Sequence, residues 1–190
     1  MRINAQTIKD FIDHSSKIFI MGHNQADMDA FGSMIACYHM AKVSNKPIYL
    51  IVDHEKLDRT VQKIINIAKD DIKEILEHMI TSKEALQLID SQSTLMVLDS
   101  PSPKLVMDAE VLTKTEKIIV IDHHRVGDEG VNAMFSIIES SASSTIELVM
   151  ELLGFYNMNE EIHISPIEAT MMYAGLVVDT NNFVYRTGSR

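Results

Sequence analysis

The sequence predicts an α/β domain of three layers, α/β/α, built on a mainly parallel sheet. Short apolar runs rich in β-branched and aromatic residues alternate along the chain with stretches whose apolar positions recur at helical spacing. Strands that follow one another through helices pair in parallel by crossover connections. The 190 residues suffice for one domain with a sizeable core, and no internal repeat or low-complexity linker divides them.

The first strand is Lys17-Ile18-Phe19-Ile20-Met21, a compact apolar run that stops at Gly22. Residues 30–41 form the first helix, carrying Phe31, Met34, Ile35, Tyr38 and Met40. Residues 47–52 give the second strand, and charged helical stretches follow over 57–68, 72–79 and 83–91. The remaining strands fall at 94–98, 117–121 and 134–138. A helix over 143–153 opens on the capping-box pair Ser144 and Glu147 and stops at Gly154. The last helix covers 167–178, with Pro166 near its start and Ile167, Met171, Ala174 and Val178 on one face. The 13 methionines sit mostly in apolar positions of these elements and read as gap-filling core.

Composition excludes several classes. Hydrophobic residues at 46% and charged residues at 23% are a globular balance, not that of a disordered chain. No apolar run approaches the roughly 20 residues that span a bilayer, and the first ten residues lack the apolar region of a signal peptide. The single cysteine, Cys37, excludes an internal disulfide framework and suits a reducing compartment. A cytoplasmic domain without direct membrane contact is expected, with Cys37 as a small buried hydrophobe. The net charge of −10 disfavours long nucleic acid as a partner. Oligomeric state stays open, a dimer included.

The chemistry lies where apolar segments end. Residues 17–21 lead into Gly22-His23-Asn24-Gln25-Ala26-Asp27-Met28-Asp29, residues 94–98 into Asp99-Ser100, and residues 117–121 into Asp122-His123-His124-Arg125. The last helix leads into Asp179-Thr180. In open α/β sheets ligands bind beyond the carboxyl ends of the strands, so these residues are expected at one edge. Carboxylates crowded there cost several kcal/mol each unless compensated, and Arg125 is the one basic residue in these motifs. Divalent cations supply the compensation. Asp with His and no available thiolate disfavours a closed structural zinc site and favours Mn²⁺, Fe²⁺ or Co²⁺. Six candidates, His23, Asp27, Asp29, Asp99, His123 and Asp179, exceed the needs of one open catalytic metal and suit two. Such a pair activates water for in-line attack on phosphorus.

Each residue alone has a plainer reading. His23 fits a hydrogen-bonded turn, Asp27 or better Asp29 an N-cap, Asp99 before Ser100-Pro101 an Asx-turn, and Asp179 a helix end. Their joint recurrence beside Asp122-His123-His124 favours a site. His39, His54, His78 and His163 are expected outside it, and Ser143 and Ser144 are expected to cap their helix.

His23-x-x-x-Asp27-x-Asp29, Asp99, Asp122-His123-His124 and Gly175-Leu176-x-x-Asp179-Thr180 resemble the ordered motifs of the DHH phosphoesterase superfamily. That superfamily includes RecJ-type nucleases, oligoribonucleases, family II pyrophosphatases and cyclic-dinucleotide phosphodiesterases. Within it, residues 19–23, 27–29 and 185–190 resemble most the DHH module of the membrane-anchored cyclic-di-AMP phosphodiesterases of Gram-positive bacteria.

The resemblance implies a DHH-type N-terminal catalytic lobe that opens cyclic-di-AMP to linear pApA with two divalent ions, foremost Mn²⁺. His23 and Asp27 would bind one ion, Asp29, His123 and Asp179 the second, with Asp99 bridging. Asp122 would orient its neighbours, and His124 would stand by the scissile phosphate. Arg125 would contact phosphate or remain a surface arginine. The alternatives are an oligoribonuclease, an exonuclease, a pyrophosphatase, or a metal- and phosphate-binding lobe with little activity in isolation. The sequence departs from the family in two ways: Ala26 stands where proline often precedes the first paired aspartate, and no glycine-rich motif of a second domain follows Asp179. Residues 1–190 are therefore expected to be the first lobe of a longer protein, whose anchoring in the plasma membrane rests on resemblance alone.

Overall fold

The computed structural model describes residues 1–125, 127, 129–158 and 161–184, so the stretch 185–190 quoted above lies outside the described residues. Six strands form one sheet: β1 (Ile18–Met21), β2 (Ile48–Ile51), β3 (Met79–Ile80), β4 (Thr94–Leu98), β5 (Ile118–Asp122) and β6 (Phe135–Ile138). Their order is β3-β2-β1-β4-β5-β6, and every pairing is parallel. Ile20 of β1 stands opposite Leu50 on one side and Met96 on the other. Every residue of β1, β4 and β5 is buried, which explains why these strands read as unbroken apolar runs.

Among the described residues seven α-helices flank the sheet: α1 (Arg2–Asp13), α2 (Met28–Lys42), α3 (Arg59–Ala68), α4 (Lys73–Glu77), α5 (Ser82–Leu88), α6 (Thr145–Asn157) and α7 (Pro166–Asp179). The chain builds outward from β1 to β3 and returns to β4 on the other flank of β1. Helices flank this parallel sheet as expected, α2 meeting β1, β2 and β4 as well as α3, and α5 meeting β2. α2 is buried along all but its last residue, lying on β1, β2 and β4 and covered by α6 and α7. Among the described residues no helix is long and apolar enough to cross a membrane.

Several local expectations change. α1 was not foreseen, although Ala5, Ile8 and Ile12 bury one stripe of it. The stretch 72–79 holds the short helix α4 and then β3, because the chain leaves the helix at His78 to pair with β2. α6 continues through Gly154, which has open space around its Cα, to Asn157. Its cap is half a box: Ser144 accepts from Glu147 N, whereas the Glu147 carboxylate accepts from Ser143 N and Oγ, both at 2.6 Å. Reciprocal boxes open α5 (Thr81 with Glu84) and α7 (Ser165 with Glu168). β5 extends one residue beyond the expected end, which brings Asp122 into the sheet.

Candidate metal centre

The reversal of strand order between β1 and β4 leaves a crevice at their carboxyl ends. The turn after β1 is stitched to the loop after β4: Asn24 N donates to Leu105 O at 2.6 Å and Met107 N to Gly22 O at 3.1 Å. Asp58 N donates to Ala26 O at 3.1 Å, so the turn is held without the family's proline. His23 Nδ1 lies 2.8 Å from Asn24 O, which assigns a ring proton to Nδ1 and turns Nε2 to the crevice. Nε2 is 3.6 Å from Asp99 Oδ2 and 3.8 Å from Asp27 Oδ1. Asp27, not Asp29, is the N-cap of α2, accepting from Asp29 N at 2.9 Å and Ala30 N at 3.2 Å.

Asp29 is the second residue of α2, and its carboxylate is fully buried. The first amides of α6 hold it: Thr145 N and Ile146 N each donate at 2.7 Å, where the helix dipole favours a negative charge. Asp99 follows β4 with φ 57°, a left-handed conformation uncommon outside glycine, asparagine and aspartate. It is pinned by Asp99 N donating to Ile121 O at 3.0 Å and by Thr145 Oγ1 donating to Oδ1 at 2.7 Å. This is no simple Asx-turn, because the carboxylate faces the histidines. His123 Nε2 lies 3.2 Å from Asp179 Oδ2, 3.7 Å from Asp99 Oδ1 and 3.9 Å from Asp29 Oδ2. Asp179 is the last residue of α7, not part of the following loop.

Two sets of donors result, His23 with Asp27 and Asp99, and Asp29 with His123 and Asp179; within each set the ligand atoms lie within 4.8 Å of one another. Asp99 also groups with His123 and His124, so it faces both sets. His124 is half exposed; its Nδ1 is 2.9 Å from Asp122 Oδ1, which also accepts from His124 N at 3.1 Å. Arg125 is exposed and joins neither set. A cavity of about 250 Å³ opens on the cluster, lined further by Asn24, Pro101 and Leu105.

The electrostatics favour a cation. Burial pushes the Asp29 carboxyl well above the usual carboxylate range, the Asp99 and Asp179 charges push it further, and the α6 amides only partly offset them. Burial alone would lower His23, but hydrogen bonds to Asp27 and Asp99 outweigh it and raise the imidazole to about 10. The cluster's ion-pair partners among the described residues are histidines alone. His123 Nε2 is buried with no hydrogen bond, although three carboxylates surround it. A divalent cation answers both the crowded charge and the unpartnered ring nitrogen, and the donors, nitrogen and oxygen without sulfur, fit one.

All six candidate ligands thus converge, with Asp122 and His124 beside them. His54 and His163 are exposed, His78 bonds Ile48 O at 3.0 Å, and His39 is buried with Nε2 3.4 Å from Glu168 Oε1, all outside the cluster. Cys37 is buried, which pushes its thiol up and leaves it inert. Thr145 was missed: read locally, Ser143-Ser144-Thr145 signals only a helix start.

Comparison with known proteins bears on this arrangement. The model of the DHH family, N-terminal domain, matches residues 17–176. A membrane protein–large ribosomal subunit bL9 fusion protein of Onion yellows phytoplasma (strain OY-M) is 43% identical over 194 residues, covering 100% of this chain and 22% of that protein. The cyclic-di-AMP phosphodiesterase GdpP of Bacillus subtilis (strain 168) is 37% identical over 190 residues, covering 100% of this chain and 28% of its own length. The chain therefore spans about a quarter of these curated relatives. Among solved structures, an exopolyphosphatase-related protein from Bacteroides fragilis superposes with a TM-score of 0.68 at 22% identity, over 100% of this chain and 54% of that one, a likeness of fold. The family match runs from the residue before β1 into α7, most of the chain's length, and the chain belongs to the DHH family.

Proposed function

We propose that this domain hydrolyses a phosphodiester of a small nucleotide, opening cyclic-di-AMP to linear pApA, with two Mn²⁺ ions. The carrying observation is Asp99, whose carboxylate faces His23 on one side and His123 on the other. In this reading His23 and Asp27 would hold one ion, Asp29, His123 and Asp179 the other, and Asp99 would serve both. Ions bound there would supply charge for the phosphoryl oxygens and would activate a water at neutral pH.

The remaining work belongs to the chain. Asn24 O fixes the His23 tautomer, and the α6 amides hold both oxygens of the buried Asp29 carboxylate in place. Asp122 accepts from His124 Nδ1, which raises the His124 pKa against the opposing effect of burial. His124, oriented by Asp122, lines the cavity where a phosphate oxygen would lie. Exposed Arg125 adds a second phosphate contact. The substrate follows from a relative named as a cyclic-di-AMP phosphodiesterase and from the net charge of −10, which suits a small nucleotide better than a long strand. We place the domain on the cytoplasmic side of a membrane-anchored parent, in line with a relative named as a membrane protein.

The test is a side-by-side assay of cyclic-di-AMP, pyrophosphate and short oligonucleotides with Mn²⁺. Cyclic-di-AMP is expected to turn over fastest, and Asp99→Ala is expected to lower that rate by more than about 100-fold, beyond the usual loss for an outer-shell residue. Faster turnover of pyrophosphate overturns the substrate. Near-normal turnover in Asp99→Ala overturns the shared carboxylate.

A further inference from the structure

We infer that Thr145 is a positioning residue that fixes Asp99 and Asp29 together in the geometry that receives metal. The inference rests on the metal-centre reading above. Thr145 is fully buried at the first position of α6, and it touches both acids. Its hydroxyl donates to Asp99 Oδ1 at 2.7 Å, and its amide donates to Asp29 Oδ2 at 2.7 Å.

The hydroxyl is not needed by the helix. Ser144 is the N-cap of α6 and accepts from Glu147 N at 3.2 Å, while Glu147 closes back on Ser143. A threonine at this position ordinarily turns its hydroxyl to water. Here it is aimed at an acid 46 residues away.

What the bond does follows from the carboxylate it grips. The left-handed backbone at Asp99 sets the direction of its side chain but leaves the carboxylate free to rotate. Anchoring Oδ1 to Thr145 leaves Oδ2 3.6 Å from His23 Nε2, while Oδ1 stays 3.7 Å from His123 Nε2. One oxygen is therefore offered to each donor set. Without the hydroxyl the carboxylate is free to swing out of that register, although every metal ligand is still present. The amide bond to Asp29 is backbone and survives any substitution, so a side-chain variant isolates the effect on Asp99.

The experiment compares wild type, Thr145→Val and Thr145→Ser in the full chain, reading Mn²⁺ affinity and stoichiometry by titration calorimetry and the metal-free melting temperature. Valine preserves volume and removes the donor; serine restores it. Thr145→Val is expected to bind Mn²⁺ about 10–100-fold more weakly, as outer-shell losses do, with Thr145→Ser within about threefold of wild type. Should valine prevent folding, Thr145→Ala takes its place with the same expectation. Wild-type uptake of Mn²⁺ with equal affinity in the valine or alanine variant overturns the role of Thr145 alone. A wild-type chain that takes up no Mn²⁺ overturns the metal-centre reading and this role with it.

Discussion

Asp53 shows a carboxylate at a strand end that serves architecture instead of the site. It follows β2 closely and accepts from Ser82 N at 2.9 Å, Ser82 Oγ at 2.8 Å and Lys56 Nζ at 2.9 Å, tying the start of α5 to the sheet. Burial alone would raise its pKa, but the bonds from Ser82 and Lys56 prevail and hold it below the ordinary value. A depressed folded-state pKa gives stability that is present above the unfolded value of about 3.9 and is lost as pH falls through the folded one. Asp53→Asn is therefore expected to cost about 1 kcal/mol at pH 7, the group being partly exposed. The difference from wild type should close at an acid pH below the folded-state value. Urea unfolding at both pH values checks it, and equal stability at pH 7 refutes it. At this scale the sequence is ambiguous because one carboxylate can do two jobs. Asp27 caps α2 and also stands in the cluster, so serving as a cap does not remove it from the candidate ligands. Thr145 was illegible because its hydroxyl partner is 46 residues away.

The elements were legible where burial is one-sided or complete, as in β1, β4 and β5, and illegible where tertiary pairing decides. β3 exists only because two residues beyond α4 meet β2, and local charge made that stretch look helical. Gly175 was quoted for its motif, but its reason is steric and lies in another helix. A Cβ there would meet Met28 O at 2.6 Å and Asp29 Cα at 2.9 Å, both backbone atoms of α2. Gly32 of α2 returns the favour, its Cβ position lying 3.1 Å from Met172 Cα. These two glycines let α7 approach the start of α2, and Asp179 stands one turn beyond Gly175 on α7. Gly175→Ala is expected to push the helices apart at a cost of about 1–3 kcal/mol and to weaken Mn²⁺ binding by moving Asp179 from His123. Gly154→Ala, in open space on α6, is expected to stabilise by up to about 1 kcal/mol. Urea unfolding with metal titration of both variants checks the pair, and an unperturbed Gly175→Ala chain refutes the close-approach argument.

At the scale of the molecule, strand order decides which acidic strand ends become a site. Val52-Asp53-His54 repeats the pattern of an apolar run ending in Asp and His, yet it stays out of the cluster because β2 lies on the far side of β1 from β4. The sequence announces strand ends but not neighbours, and only the reversal at β1 and β4 brings 23–29, 99 and 122–124 to one crevice. α7 completes it from outside the sheet. A centre drawn from four distant segments exists in the folded chain alone, so a cation bound there stabilises the fold by mass action. At a concentration 100 times the dissociation constant the gain is about 2.7 kcal/mol. For a chain of this size 1 kcal/mol moves the melting temperature by about 2–4 °C, so saturating Mn²⁺ is expected to raise it by about 5–10 °C. Chelation should reverse the rise, and Asp99→Ala should shrink it. Ca²⁺, which prefers oxygen donors to the imidazoles of His23 and His123, is expected to give a smaller rise. Scanning calorimetry with Mn²⁺, Ca²⁺ and chelator makes the comparison. A melting temperature indifferent to Mn²⁺ would mean that the acids and imidazoles are held together by packing and protons alone.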